Sequence, residues 1–187
     1  MISLPIVLAS NSPRRLQLLQ GSGFEVKQIR SHADESFPET MALDEVALYL
    51  AEKKMDAIEA MPDVVLTADT TVVFPDFILN KPQDEKEVRF MLQQLSGRMH
   101  TVITGVCMRK GERKICFKDA TKVYFAPLSE EIISHYIQFG NPYDKAGAYG
   151  IQDSIGYLGI EKIEGCFYNV MGLPVRLVYN AYQKICL

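Results

Sequence analysis

Within twelve residues, Leu8-Ala-Ser-Asn-Ser-Pro-Arg-Arg-Leu-Gln-Leu-Leu19, the chain passes from an apolar strand to a proline-started helix. Ile6 to Ala9 has the unbroken apolar character of a strand buried on both faces. Ser12 has the short hydroxyl side chain of a helix N-cap. Pro13 suits the first helical position, where its missing N–H costs nothing. Such a helix start points backbone N–H groups and the positive dipole end outward, and Ser10, Ser12, Arg14 and Arg15 add donors and charge. That is the chemistry of a phosphate grip. The same residues also suit an ordinary capped surface helix with solvated arginines, so the choice falls to the rest of the chain.

The helix should stop near Gly21-Ser22-Gly23, and Phe24 to Ile29 alternates as a half-exposed strand does. Thr40 can cap a helix running to about Ala60, with Val46, Ala47, Leu50, Ala51 and Ile58 at helical spacing and Met61-Pro62 as its stop. Val64 to Asp69 reads as a buried strand ending in a carboxylate, with Thr71 to Phe74 continuing beyond a kink or bulge. Asp84 starts a helix whose apolar face is Val88, Met91, Leu92 and Leu95. Thr101–Met108 and Lys114–Phe125 flank a turn at Lys110-Gly111-Glu112 as a long hairpin. Ser129 caps a helix that ends before Gly140. Tyr143 to Gln152 is glycine-rich and polar yet too aromatic for a linker, which suggests an ordered loop near a ligand. Short strands are expected around Gly156-Tyr157 and Lys162-Ile163, and a terminal helix after Leu173-Pro174. No repeat or interdomain linker interrupts residues 1–187, which read as a single domain.

The net charge of −3 over 187 residues disfavours a nucleic-acid binder and leaves positive charge to act locally, as a small anionic substrate requires. Cys107, Cys116, Cys166 and Cys186 show no C-x-x-C spacing and no zinc pattern, so reduced thiols are expected. With no secretory signal and no apolar run approaching the ~20 residues that span a bilayer, a cytoplasmic protein without membrane partners is expected.

Three cations and two carboxylates stand out. Lys54 lies on or beside an apolar helical stripe, either snorkelling past the core edge or aimed into a cleft. Whether Lys53 or Lys54 turns inward stays open. Asp69 either caps a turn or does metal or general-base work. Lys81 precedes Pro82, which fixes its local backbone, and structure alone could explain it. Arg15, Lys54 and Lys81 with Glu35 and Asp69 form the set that phosphoanhydride hydrolysis needs: cations to offset phosphate charge, carboxylates to hold a divalent metal and to activate water. The chain has no G-x-x-x-x-G-K-[ST], G-x-G-x-x-G or G-x-S-x-G motif. Of the histidines, His32 and His135 read as surface residues and His100 as one that can approach the cleft. None makes a triad.

In order along the chain, LASNSPRRLQLL, Asp34-Glu35, Lys54, TADTTVV, NKP, LSGRMHTVITGV, DKAGAYGIQ and IEGCFYNVMGLP resemble the Maf family of nucleoside triphosphate pyrophosphatases. The resemblance implies a two-lobed, mixed-sheet α/β fold similar to that of inosine triphosphate pyrophosphatases, with the active site in the cleft between lobes. It also implies cleavage between the α and β phosphates with a divalent metal, Mg²⁺ or Mn²⁺, and a possible homodimer. Carried over by position, Ser10 and Arg15 bind phosphate, Glu35 and Asp69 serve the metal and water, and Lys54 and Lys81 contact the triphosphate. Asp69 is the general base. Arg14, Thr70 and Gln152 resemble the pyrimidine-preferring branch, which implies dTTP and UTP as substrates. The Gln152 amide can match the adjacent N–H and C=O of a uracil or thymine edge.

Two rivals remain at this level. A nucleotide-binding regulator of septum formation without essential catalysis would lack the catalytic carboxylates, and Glu35 and Asp69 are both present. A nucleotidyltransferase would show a glycine-richer first loop than Ser-Asn-Ser-Pro.

Overall fold

The computed structural model describes residues 4–30 and 33–187. His32, expected at the surface, lies outside them. The chain forms two compact units, the first from residues 1–70, 104–119 and 172–187, the second from 71–103 and 120–171. The strands belong to a seven-stranded mixed sheet of order β2-β1-β3-β5-β6-β7, with β4 also on β3. They are β1 Pro5–Ala9, β2 Glu25–Ile29, β3 Val65–Val73, β4 Ile78–Leu79, β5 Met99–Lys110, β6 Arg113–Phe125 and β7 Ile160–Glu164.

In the first unit β1 pairs in parallel with β2 from Pro5↔Glu25 to Ala9↔Ile29, and with β3 at Val7↔Val65 and Leu8↔Leu66. The helices are α1 Pro13–Gly21, α2 Val46–Asp56 and α7 Val175–Cys186. Side chains alternate across a strand, and the cores follow that parity. Ile6, Leu8, Leu66 and Ala68 pack with Leu19, Val178, Tyr182 and Ile185 of α1 and α7. Val7, Ala9 and Val65 pack with Ala51 and Met55 of α2. This two-sided cover is why β1 reads as a continuous apolar run. At Gly105 a Cβ would lie 2.3 Å from the Ala47 carbonyl oxygen. Only a glycine lets the first turn of α2 rest directly on β5.

α2 is shorter than its periodicity predicts, and Thr40 does not cap it. Its N-cap position is Glu45, without a side-chain cap bond. Beyond Asp56 the carbonyls of Ile58 and Glu59 accept from the Arg109 guanidinium at 2.6 and 3.0 Å, so a distant side chain satisfies groups a longer helix would have used. Cys107 and Cys116 correct the reduced-thiol expectation. They stand three residues before and after the hairpin ends Lys110 and Arg113, face each other, and are joined as a disulfide. A hairpin pairs residues equidistant from its turn, a spacing that a search for C-x-x-C passes over. Cys166 and Cys186 are free.

In the second unit, β6 pairs antiparallel with β7, from Lys122↔Glu164 to Phe125↔Ile160 with an irregularity after Tyr124. The helices are α3 Glu85–Leu95, α4 Glu130–Phe139, α5 Ser154–Gly159 and α6 Phe167–Val170. α3 begins where expected: Asp84 accepts from the Glu87 N–H at 2.9 Å, and Glu87 accepts from the Gln83 N–H at 2.7 Å. Its four expected apolar residues join the core with Val72, Phe74, Ile133 and Tyr136. Ser129 caps α4 through the Ile132 N–H. The strand expected at Gly156-Tyr157 is instead α5, because the N–H groups of Gly156 and Tyr157 both turn back to the Asp153 carbonyl.

His100 does not line an open site. It is 1% exposed, its ring lies within 6 Å of those of Phe74, Phe125 and Tyr149, and its Nε2 is 2.7 Å from the Tyr149 hydroxyl. Burial pushes the imidazole down to about 3. Between that value and the ordinary histidine value near 6.5, the unfolded ring carries a proton that the folded ring lacks. The contribution is therefore complete above about pH 6.5 and declines as pH falls toward 3, by up to about 1.4 kcal/mol per pH unit. In denaturant titrations at stepped pH, His100→Phe should show a shallower acid decline across that window. An unchanged slope would contradict this assignment.

Candidate active site

Asp69 sits in the middle of β3, not at its end, because the β-branched Thr70-Thr71-Val72-Val73 carries the strand on. It nevertheless lies three residues past Leu66, the last β3 position paired with β1. There, where β1 has given way to the turn before α1, neighbouring residues of β3 face opposite ways. Asp69 shares the parity of Val65 and Thr67, toward α2, and Thr67 indeed donates to the Ala51 carbonyl at 2.7 Å. Thr70 shares the parity of Leu66 and Ala68, toward α1.

On the α2 side, Lys54 is 8% exposed and its ammonium joins two carboxylates, Glu35 at 2.9 Å and Asp69 in a shorter contact. Lys53 turns elsewhere: it pairs with Asp34 at 2.9 Å and donates to the Ser36 carbonyl at 2.9 Å. Periodicity could not separate the two lysines, and these partners do. The Ser36 hydroxyl, then Lys53, hold the Asp34 carboxyl down at about 2. Lys54 is therefore the inward lysine, and Glu35 and Asp69 are the carboxylates brought together.

On the α1 side, Arg15 is 9% exposed and heavily committed. Its Nε donates to the Gly172 carbonyl at 2.9 Å. One terminal nitrogen donates to the Ala68 carbonyl at 2.9 Å and Ser10 Oγ at 3.2 Å, and the other to Thr70 Oγ1 at 2.9 Å. Burial lowers its pKa, a shift that Asp69 opposes and Arg14 reinforces. Ser10 Oγ also accepts from the Ser12 N–H at 3.2 Å, and Ser12 caps α1 through the Arg15 N–H. Thr70 Oγ1 lies 3.0 Å from Thr104 Oγ1. Arg15 thus braces a buried network that ties β1, α1, β3 and Gly172 together. Arg14 is half-buried beside it.

Lys81 and Gln152 belong to the second unit. Lys81 is exposed, and Pro82 after it is buried. Gln152 is half-buried, and its Oε1 is shielded from solvent without a hydrogen-bond partner among the described residues. A buried acceptor left unpaired is costly. Sequence reasoning missed Lys145, which is buried and ion-paired with Asp144 at 3.0 Å and Asp153 at 3.3 Å. Its place in the DKAGAYGIQ motif and the ordered character of that loop were the signals.

No three His, Cys, Asp or Glu side chains converge as a metal cage among the described residues. Glu35 and Asp69, both in contact with one ammonium, offer two carboxylates. Mg²⁺ is commonly held by one or two carboxylates together with substrate phosphates, so the donor set fits such an ion. No described helix is long and apolar enough to cross a membrane.

The mixed-sheet α/β fold carries a capped strand-to-helix turn and a lysine-bridged carboxylate pair, a donor set that suits a cation bound together with phosphates. The chain belongs to the Maf family: the sequence model described as Maf-like protein matches residues 5–185. Curated relatives named dTTP/UTP pyrophosphatase include one from Cytophaga hutchinsonii, 46% identical over 96% of this chain and 84% of that protein. Another, from Porphyromonas gingivalis, is 48% identical over 94% and 91%. A third, from Phocaeicola vulgatus, is 44% identical over 96% and 95%. A solved structure of a HAM1 protein from Coxiella burnetii aligns over 67% of this chain and 74% of that one at 15% identity, with a TM-score of 0.44.

Proposed function

We propose that the protein is a nucleoside triphosphate pyrophosphatase that hydrolyses dTTP and UTP between the α and β phosphates, giving the nucleoside monophosphate and pyrophosphate. The observation that carries this reading is the Lys54 ammonium held between Glu35 and Asp69 just past the β1-paired part of β3. A buried cation with two acceptors stabilises charge that builds on phosphate oxygens and keeps a carboxylate oriented toward an attacking water. Asp69 takes the proton from that water. Glu35 and Asp69 would hold a divalent cation, Mg²⁺ or Mn²⁺, whose chemistry is to neutralise phosphate charge and orient the scissile bond. Ser10, Arg14 and Arg15 are assigned to the phosphate end, with Arg15 fixing the shape of the turn as well. Lys81 is assigned as a further contact to the triphosphate. Thr70 and Gln152 are assigned to substrate choice, Gln152 through its amide, whose unpaired Oε1 suits the ring N–H of uracil or thymine.

The test is a panel of common and modified nucleoside triphosphates with Mg²⁺ or Mn²⁺, resolving pyrophosphate from orthophosphate. dTTP and UTP should lead and release pyrophosphate. Orthophosphate as the only inorganic product would identify a different bond and overturn the proposal. In the same assay Gln152→Ala should lower the UTP-over-CTP ratio of kcat/KM by about tenfold, as loss of a matched polar contact does. Equal losses on the two substrates would remove Gln152 from base reading.

A further inference from the structure

Gln152 stands at the end of a segment anchored from several directions. The Asp153 N–H donates to the Gly150 carbonyl at 3.0 Å, closing a turn around Ile151 and Gln152. Asp153 occupies the N-cap position of α5, yet its side chain makes no capping bond. Its Oδ2 instead accepts from the Tyr136 hydroxyl at 2.9 Å and pairs with Lys145 at 3.3 Å. Lys145 also donates to the Asn141 carbonyl. The pair lies directly over the turn's backbone: a Cβ at Gly150 would be 2.6 Å from Asp153 Oδ2 and 2.9 Å from Lys145 Cε. Tyr136 is fully buried on α4, and burial, with the Asp153 charge behind it, raises its phenol so that it stays a donor. Earlier in the segment the Gly147 N–H donates to the Asn80 carbonyl at 3.1 Å, so the segment also braces the residue before Lys81.

We propose that Tyr136, Lys145 and Asp153 are positioning residues for the Gln152 amide and thereby set base selectivity, an inference that rests on the role given to Gln152 above. A glutamine on a free loop would lose rotamer and backbone freedom each time it bound, and could swing to suit an unmatched base edge. Here a buried phenol and a buried ammonium hold the adjacent residue, so the amide meets the base in one orientation. Selectivity then comes from an acceptor that a mismatched edge leaves unpaired in a buried place.

The test is Tyr136→Phe, which keeps the ring and removes only the donor to Asp153. The UTP-over-CTP ratio of kcat/KM should fall about five- to tenfold, because cytosine reverses the donor and acceptor that uracil presents, through a higher KM for UTP with kcat within about twofold. In a Gln152→Ala background the same substitution should cause no further fall, because the two act through one amide. Asp153→Asn serves as the second variant, with the same expected pattern. Wild-type ratios in both variants, or an equal fall with and without Gln152, would overturn the inference. Absence of a preference for UTP over CTP in the unsubstituted protein would overturn the role of Gln152 itself, an outcome separate from either of these.

Discussion

Asp69→Asn should lower turnover on dTTP and UTP by ~100-fold or more, as loss of a positioned base does, while the thermal midpoint stays near that of the unsubstituted protein. The asparagine fills the same space on β3 and still offers an oxygen to Lys54, and Lys54 keeps Glu35 at 2.9 Å. It can neither accept the proton of the attacking water nor contribute the negative charge a divalent cation needs. Steady-state kinetics with pyrophosphate detection, alongside a melting curve, reads both quantities. Turnover within a few-fold of the original would remove Asp69 from the base role. A large fall in melting temperature would show instead that its ion pair with Lys54 is mainly structural.

Arg15→Leu should combine loss of activity with a large loss of stability. The guanidinium is buried and serves two backbone carbonyls and two hydroxyls, and removing it leaves the carbonyls of Ala68 and Gly172 without that donor. Leaving a buried acceptor unsatisfied costs about 1–3 kcal/mol, so the two carbonyls together cost roughly 2–6 kcal/mol. With roughly 2–4 °C of midpoint per kcal/mol for a chain of this size, the melting temperature should drop by roughly 10 °C. Arg15→Lys should recover little, because one ammonium cannot reproduce a planar fork aimed at four oxygens. If Arg15→Leu melted like the unsubstituted protein and lost only substrate affinity, Arg15 would be a phosphate ligand and not a strut.

What could be read in advance was what local chemistry decides. The caps Ser12, Asp84 and Ser129 sit where hydroxyls or carboxylates precede helical spacing, and each bonds within three residues. The strand parity of Ala-Asp-Thr-Thr is equally local. What the local pattern leaves unseen depends on distant partners. α2 ends early because Arg109 takes up nearby carbonyls, and Arg15 turns inward because Gly172, 157 residues later, presents its carbonyl. Lys53 and Lys54 are adjacent on one helix, and only the placement of Asp34, Glu35 and Asp69 tells them apart. The family resemblance named Lys54, Asp69 and Gln152. It carried no hint that Lys145 and Asp153 form a pair beside Gln152, since nothing in an aromatic, glycine-rich stretch marks which charges will meet.

Because Asp69 and Thr70 are consecutive yet look in opposite directions, inserting or deleting one residue just before them would trade their sides, presenting a hydroxyl to Lys54 and a carboxylate to Arg15. Point changes behave differently. Replacing either side chain alone alters the hydrogen bonds of one face and leaves those of the other in place, although the two residues share a peptide bond.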